Sequence, residues 1–181
     1  MRKHPAVGAL IRLAALVLLA LPPAAAADTA ARADLAVPNV KQVRERCGQG
    51  ALEMVLRYYG AGAAAVREAD RAYDPVLRGS LITDLAAAAR RAGFEAEIAT
   101  LTPDTLVALL GAGVPPIVLY QAGAPPITFA HYGVVRGWDP AHGTFTLNAG
   151  ESRPRIMRRE ELAQRWRTAG SQALLIRRRA P

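Results

Sequence analysis

The sequence predicts an α+β domain, with helices in the N-terminal half and strands in the C-terminal half. After Cys47, apolar residues recur at helical spacing over residues 51–59. Further along, residues 131–138 and 143–148 are strand-like runs, and the turn-forming stretch 139–143 between them predicts a hairpin. A mainly antiparallel sheet packed on a cysteine-bearing helix accounts for both patterns.

Each remaining element has its own local signal. Ser80 is placed as the N-cap of a helix, and Thr102 followed by Pro103 predicts a second N-terminus. Glycines supply the stops that end the helices. The predicted helices are 47–59 before Gly60, 81–92 before Gly93, 102 to 111 or 113, and 159–168 before Gly170, and the further strands are 94–99, 117–120 and 172–177. The length is that of one domain with its own core, and no internal repeat is visible.

Residues 1–27 have the composition of a secretory signal peptide. A basic start is followed by an apolar run, then Pro22 and Pro23, then a small-residue site ending at Ala27. An uncleaved membrane anchor is the alternative, but the apolar stretch 7–21 is shorter than the roughly 20 residues that a spanning helix needs. We therefore expect cleavage after Ala27 and no stable membrane anchor.

The predicted mature chain is exported to the periplasm or the extracellular space. Residues 28–36 are predicted to be a flexible lead-in, and residues 37–181 form the domain. Removing the signal peptide lowers the formal charge from +8 to +5, because three basic residues are lost. The remaining arginines are scattered and lack interleaved aromatic residues, so nucleic-acid binding is not expected. The oligomeric state is left open.

Cys47 is the single cysteine of the chain. An exported protein with one cysteine has no internal disulfide, and no Cys/His spacing suggests zinc, so neither a metal nor a cofactor is predicted. The thiol is then a buried filler, an intermolecular bridge or a reactive group. A helix N-terminus favours thiolate over thiol and supplies N–H groups for an oxyanion, and Gly48 and Gly50 leave room for a peptide.

Two histidines remain after signal cleavage, His131 and His142. His142 lies in the predicted turn, whereas His131 starts a strand and is the candidate base. At about 3.3 Å per residue, Asp139 is about 26 Å along the strand from His131, but the hairpin returns Asn148 to the beginning of that strand. Asn148 is therefore predicted to orient the imidazole, and Asp139 to form the turn. A turn residue at the end of a strand is the alternative for Asn148.

Gln42, five residues before Cys47, completes the candidate site. Its side-chain amide could donate to a developing oxyanion together with the backbone N–H of Cys47. Taken alone, a glutamine in this stretch is equally an ordinary surface residue. The order and spacing of the four residues carry more weight than any one of them.

These motifs resemble the papain-like, bacteriocin-processing cysteine peptidases known as peptidase family thirty-nine. The similar stretches are Val-Pro-Asn-Val-Lys-Gln at 37–42, Cys-Gly-Gln-Gly-Ala-Leu at 47–52 and His-Tyr-Gly-Val-Val-Arg-Gly-Trp-Asp at 131–139. The resemblance implies a papain-like fold and is closest to stand-alone exported members. It also implies that Gln42 is the oxyanion donor, Cys47 the nucleophile, His131 the base and Asn148 the orienter. Gln49 replaces the family's usual proline, and Asn148-Ala149 its usual Asp-Pro.

The sequence is therefore interpreted as an exported thiol hydrolase that cleaves peptide bonds in a peptide or protein substrate. Two other functions are compatible with the same residues. One is a peptide-binding module with an inert thiol, and the other is an acyl transferase in which an amine replaces water. The double-glycine specificity of transporter-fused members is not expected to carry over.

Overall fold

The computed structural model describes residues 31–43 and 45–179. Helices and strands follow the predicted order, with most helical residues before residue 92 and every described strand but one after it. The helices are α1 (Cys47–Tyr58), α2 (Ala63–Val66), a 3-10 helix (Arg67–Ala72), α3 (Ile82–Arg91), α4 (Pro103–Gly111) and α5 (Arg159–Arg167). The strands are β1 (Ala33–Asp34), β2 (Phe94–Thr100), β3 (Ile117–Ala124), β4 (Ile127–Asp139), β5 (Thr144–Asn148), β6 (Arg155–Arg158) and β7 (Gln172–Arg178).

The strands form one antiparallel sheet in the order β2-β7-β3-β4-β5-β6, and β1 pairs with β4. β4 is the long central strand, and its first residues extend beyond the end of β5, since the pairing of the two strands stops at Val134 and Asn148. This leaves the stretch that contains His131 paired with β3 on one side only. The topology confirms the predicted α+β fold with an antiparallel sheet.

Helices cover both faces of the sheet because alternate strand residues face opposite sides. On one face, Leu52 and Leu56 of α1 pack with Val134 of β4, and all three side chains are fully buried. On the other face, a separate cluster joins residues of α4 and α5 to Tyr120 and Phe145. Each buried leucine contributes about 1.5–3 kcal/mol through removal of apolar surface from water. The first cluster fixes α1, and therefore Cys47, against β4.

The local signals located most elements correctly. α1, α3, α4, α5 and the predicted strands are confirmed within one or two residues at most ends, although β3 and β4 extend further into their connecting turn. Thr102 caps α4 as predicted, since its hydroxyl accepts from the N–H of Thr105 at 3.3 Å. Ser80 does not cap α3; Leu81 occupies the N-cap position, without a side-chain hydrogen bond.

Four elements were not predicted, namely α2, the 3-10 helix, β6 and β1. The short helices over 63–72 follow an alanine run without a strong apolar period, and β6 is only four residues long. β1 lies within the stretch 28–36 that was expected to be a flexible lead-in, and its residues Ala33 and Asp34 pair with Trp138 and Gly137 of β4. The predicted signal peptide, residues 1–27, lies outside the described residues. Within 31–43 and 45–179, none of the helices has the length and hydropathy needed to span a bilayer.

Candidate active site

Cys47 is the first residue of α1, as predicted, and is partly buried. The preceding residue, Arg46, provides no side-chain cap, so the first backbone N–H groups of α1 lack a capping side chain. The thiolate form of Cys47 receives hydrogen bonds from the backbone N–H groups of Gly48 and Tyr132. Gly48 also permits close packing, because a Cβ there would lie 3.0 Å from the Cβ of Ser80. The helix start thus presents donors to the sulfur.

His131 lies in the part of β4 that extends past β5. Its ring contacts the rings of Tyr120 and Phe129 in edge-on arrangements, with centroid distances of 5.8 and 6.1 Å. Its Nε2 is 2.9 Å from the backbone carbonyl oxygen of Ala149, to which it donates when protonated. Because Nε2 is engaged there, Nδ1 is the ring nitrogen available for the hydrogen bond with Cys47. The two aromatic rings and the Ala149 carbonyl therefore hold the imidazole in place, and Nδ1 faces the thiol.

The two side chains shift each other's pKa values in the direction that favours an ion pair. Burial alone would raise the pKa of the Cys47 thiol, but hydrogen bonds from His131, Tyr132 and Gly48 outweigh burial and lower it. Burial would likewise lower the pKa of His131, but the hydrogen bonds to Cys47 and to the Ala149 carbonyl raise it. The arrangement therefore stabilises thiolate and imidazolium together.

Gln42 lies beside Cys47, as its predicted role requires. Its side-chain Nε2 donates to the carbonyl oxygen of Cys47 at 3.2 Å, and its backbone N–H donates to the carbonyl of Gly150 at 3.3 Å. Two glycines form the slot that holds this side chain, because a Cβ at Gly50 would lie 2.5 Å from Cγ of Gln42 and a Cβ at Gly150 would collide with the same side chain. The absence of side chains at both positions fixes where the amide lies.

Asn148 lies on the strand that pairs with the strand of His131, but its side chain is not brought to the His131 ring. It pairs with Val134 of β4, so its side chain shares the face of Val134, whereas His131, three residues earlier, points to the opposite face. The amide of Asn148 donates instead to the carbonyl oxygen of Val37 at 3.0 Å, in a site where the residue is only 1% exposed. The expected hydrogen bond from Asn148 to His131 is therefore not made in this structure, and the Ala149 carbonyl takes that place.

This placement predicts a structural effect of Asn148→Asp. At neutral pH the buried carboxylate would face the Val37 carbonyl, and we expect a loss of at least the roughly 1–3 kcal/mol that a buried unpaired acceptor costs. Stability should recover as the pH falls towards about 4, where the protonated carboxyl can again donate. Denaturant unfolding at several pH values measures both effects. Asn39→Ala is the control, because its amide bond to the Glu151 carbonyl is exposed. An Asp variant as stable as wild type at neutral pH would contradict this role for Asn148.

Asp139 and Gln49, which the sequence analysis also considered, lie away from the Cys47–His131 pair. Asp139 forms the hairpin turn as predicted, since its carboxylate accepts from the N–H of Ala141 at 3.0 Å and is 3.0 Å from Nδ1 of His142. Gln49 is buried in α1 and lines a different pocket, together with Glu53 and other residues. The departure from the family pattern at Gln49 therefore does not reach the nucleophile's cleft.

A cleft of about 610 Å³ opens over the Cys47–His131 pair. It is large enough for several residues of an extended peptide. Its lining consists of Gln42, Val43, Glu45, Cys47, Phe129, Ala130, His131, Ala149 and Gly150. Apolar side chains stand at its rim, with Phe129 53% exposed. Gln42, Cys47 and His131, three of the four predicted site residues, line this cleft. Asn148 does not line it and is buried against Val37.

Two functional groups were not predicted from the sequence because they belong to the backbone. The carbonyl of Ala149 and the N–H of Tyr132 contact the ring and the sulfur, respectively, and neither depends on its own side chain. A signal for the first existed in Gly150, whose positive φ of 77° marks a backbone turn that follows Ala149 directly.

Several solved structures with the same fold are peptidases or peptidase domains. A putative C39-like peptidase from Bacillus anthracis is 18% identical, with a TM-score of 0.67 over 83% of this chain and 100% of that one. A double-glycine motif protease from an AMS/PCAT transporter, in complex with its leader peptide, is 22% identical, with a TM-score of 0.62 over 81% and 95% of the two chains. The peptidase domain of Streptococcus ComA, a bifunctional ABC transporter, is 17% identical, with a TM-score of 0.61 over 79% and 99%.

No curated protein sequence matches the chain. The Peptidase_C39 like family model matches residues 34–174, which span the sheet, the cysteine-bearing helix and the histidine strand. Since that match covers more than half of the sequence, the chain belongs to the Peptidase_C39 like family, a family of cysteine peptidases.

Proposed function

We propose that this protein is an exported thiol hydrolase that cleaves a peptide bond with Cys47 as nucleophile and His131 as general acid and base. The observation that carries the proposal is the mutual pKa shift of these two side chains in an open cleft, since a thiolate paired with an imidazolium is the reactive form of such a pair. Export rests on the composition of residues 1–27.

In the first half of the reaction, the Cys47 thiolate attacks the carbonyl carbon of the scissile bond. The carbonyl oxygen becomes negatively charged, and the imidazolium of His131 gives its proton to the leaving amine as the carbon–nitrogen bond breaks. In the second half, neutral His131 takes a proton from water, which attacks the thioester and releases the acid. The Cys47 sulfur leaves as thiolate, and the pair is restored.

Gln42 is proposed to stabilise the oxyanion together with the backbone N–H of Cys47. A primary amide carries two N–H donors, and the bond to the Cys47 carbonyl uses one of them. That bond holds the side chain in place and leaves the second N–H for the oxygen of the substrate. Donors fixed before the reaction need no reorganisation as charge develops, and one such donor contributes about 10²–10³-fold to kcat.

Asn148 is proposed to position the imidazole indirectly. Its hydrogen bond to Val37 anchors the end of β5, and the next residue, Ala149, supplies the carbonyl that accepts from His131. A carbonyl can fix the orientation and tautomer of the ring without adding a negative charge. In a Cys-His-Asn triad, a direct hydrogen bond from the asparagine amide fixes the ring in the same way.

The proposed substrate is a peptide or an unfolded protein segment in an extended conformation. The related transporter protease bound to its leader peptide supports a peptide substrate for this cleft. The cleft is open and has apolar side chains at its rim, so it can accept a peptide in an extended conformation.

Hydrolysis of an activated acyl ester and of a mixture of casein peptides tests this function. We expect both reactions in the wild-type protein and neither in Cys47→Ser, because a hydroxyl at that position lacks the acidity of the thiol. Adding a primary amine distinguishes a hydrolase from an acyl transferase, since a hydrolase releases mainly the acid and a transferase mainly the amide. Ester and peptide turnover that is unchanged in Cys47→Ser would refute the proposal. No turnover by the folded wild-type protein would also refute it and would favour the peptide-binding module.

A further inference from the structure

A second pocket, of about 470 Å³, adjoins the nucleophile's cleft. His131, Phe129 and Ala149 line both cavities, whereas Cys47 and Gln42 line only the first. The ring of His131 thus forms part of the wall between them. The second pocket is completed by Tyr120, Ala122, Gly123, Ala124, Glu151 and Arg155.

The position of the second pocket matches the leaving side of the substrate. In the proposed reaction, the acyl portion stays attached to Cys47, with its oxygen against Gln42, so it occupies the first cleft. The departing amine must receive its proton from His131 and therefore lies against that ring. The residue after the scissile bond is then the part of the substrate that reaches the second pocket.

Two residues that line this pocket each carry a buried hydrogen-bonding atom without a partner among the described residues. The two atoms are the hydroxyl oxygen of Tyr120, a residue only 1% exposed, and Nε of Arg155. Burial raises the pKa of Tyr120 to about 12, so its hydroxyl keeps its proton throughout the physiological range. A buried polar group without a partner costs free energy, and both groups are donors that a ligand's acceptor would satisfy.

The charges around the pocket favour a neutral acceptor over an acidic one. Arg155 is already paired with the carboxylate of Glu151, and Arg165 pairs with Glu161 while donating to the carbonyls of Gln121 and Gly123. These pairs balance each other in charge. A carboxylate ligand would place a second negative charge beside Glu151, whereas an amide oxygen would accept from both unpartnered donors without that repulsion.

We propose that the second pocket selects the side chain that follows the scissile bond, and that it prefers a neutral amide, as in glutamine or asparagine. This inference rests on the proposed function. Tyr120 and Arg155 act in it as specificity-determining residues. They receive the amide oxygen of the leaving residue.

Partition of the acyl-enzyme between water and added amines measures this preference without knowledge of the natural substrate. The acyl-enzyme is formed from benzyloxycarbonyl-glycine nitrophenyl ester, and glutaminamide, glutamic acid α-amide or norleucinamide is added as acceptor. The amine nitrogen attacks the thioester carbon, the carbon–sulfur bond breaks, and the amine's proton passes to His131 as the new amide bond forms. The ratio of amide product to acid product reports how well each acceptor occupies the leaving-group side.

We expect glutaminamide to be captured about five- to tenfold better than norleucinamide or glutamic acid α-amide, as about one added hydrogen bond would give. Tyr120→Phe should reduce the glutaminamide advantage to about twofold or less. Tyr59→Phe is the matched control, because it removes a hydroxyl that bonds the Ile176 carbonyl instead, and it should leave the advantage intact.

Equal capture of the three amines, preferred capture of the glutamic acid amide, or a glutaminamide advantage that survives Tyr120→Phe would each overturn the inference. None of these results would contradict the proposed function, provided that ester hydrolysis requires Cys47. Ester hydrolysis that persists in Cys47→Ser would instead refute the proposed function, and the inference would fall with it.

Discussion

His131→Ala is expected to lower the kcat/KM of Cys47-dependent peptide hydrolysis by about 10⁴-fold, the upper range for loss of a general acid–base group. The variant loses the proton donor for the leaving amine. It also loses the hydrogen bond and the charge that lower the pKa of the Cys47 thiol, so burial then raises that pKa unopposed by the ring. Steady-state kinetics on a peptide cleaved by the wild-type protein measure the loss.

His142→Ala is the matched control for this experiment. His142 is exposed in the hairpin turn and contacts Asp139, so its loss is expected to leave kcat/KM unchanged. Circular dichroism and thermal unfolding would show that both variants fold. A His131→Ala variant that retains more than about a tenth of wild-type kcat/KM would show that the ring takes no part in proton transfer.

Gly50→Ala is expected to lower kcat by about 10²–10³-fold, the effect of losing one oxyanion donor, although Gly50 contacts no substrate itself. The added Cβ would lie 2.5 Å from Cγ of Gln42 and would push that side chain out of its slot. Folding should survive, because alanine is favoured over glycine in a helix interior by about 0.5–1 kcal/mol. Kinetics and thermal unfolding of the same preparation separate the two effects.

Two further variants sharpen that test. Gly111→Ala is the matched control, since a Cβ there meets nothing within 4 Å in α4, and it should leave kcat unchanged. Gln42→Ala combined with Gly50→Ala should cost no more than Gln42→Ala alone, because both changes remove the same donor. Fully additive losses in the double variant, or a Gly50→Ala variant with wild-type kcat, would show that the slot does not position Gln42 for catalysis.

The sequence predicted the architecture where the local signals agreed with each other. The helical period after Cys47 and the glycine that ends it located α1, and the turn residues from Asp139 onward located the hairpin. The elements that were missed have weak local signals and depend on tertiary pairing. β1, for example, consists of two residues that pair with Trp138 and Gly137 of β4, and no local pattern indicates that pairing.

The candidate site was predictable in its side chains and less so in its contacts. The helix-start argument placed Cys47 at the first residue of α1, and choosing the strand histidine over the turn histidine identified the ring that contacts it. The argument for Asn148 considered distance along the hairpin but not the face of the sheet. The register of β5 with Val134 turns Asn148 to the face opposite His131. The partner of the ring, the Ala149 carbonyl, has no side-chain signature from which a sequence could reveal it.

The rate of Cys47 alkylation by iodoacetamide as a function of pH tests the central claim most directly, because it measures the thiolate without any substrate. The lowered pKa of Cys47 and the raised pKa of His131 predict rapid alkylation at pH 6, with an inflection below the ordinary thiol pKa of about 8.5. The rapid reaction at pH 6 should disappear in His131→Ala. A wild-type rate that rises only near pH 8.5, and that His131→Ala leaves unchanged, would contradict an activated Cys47–His131 pair.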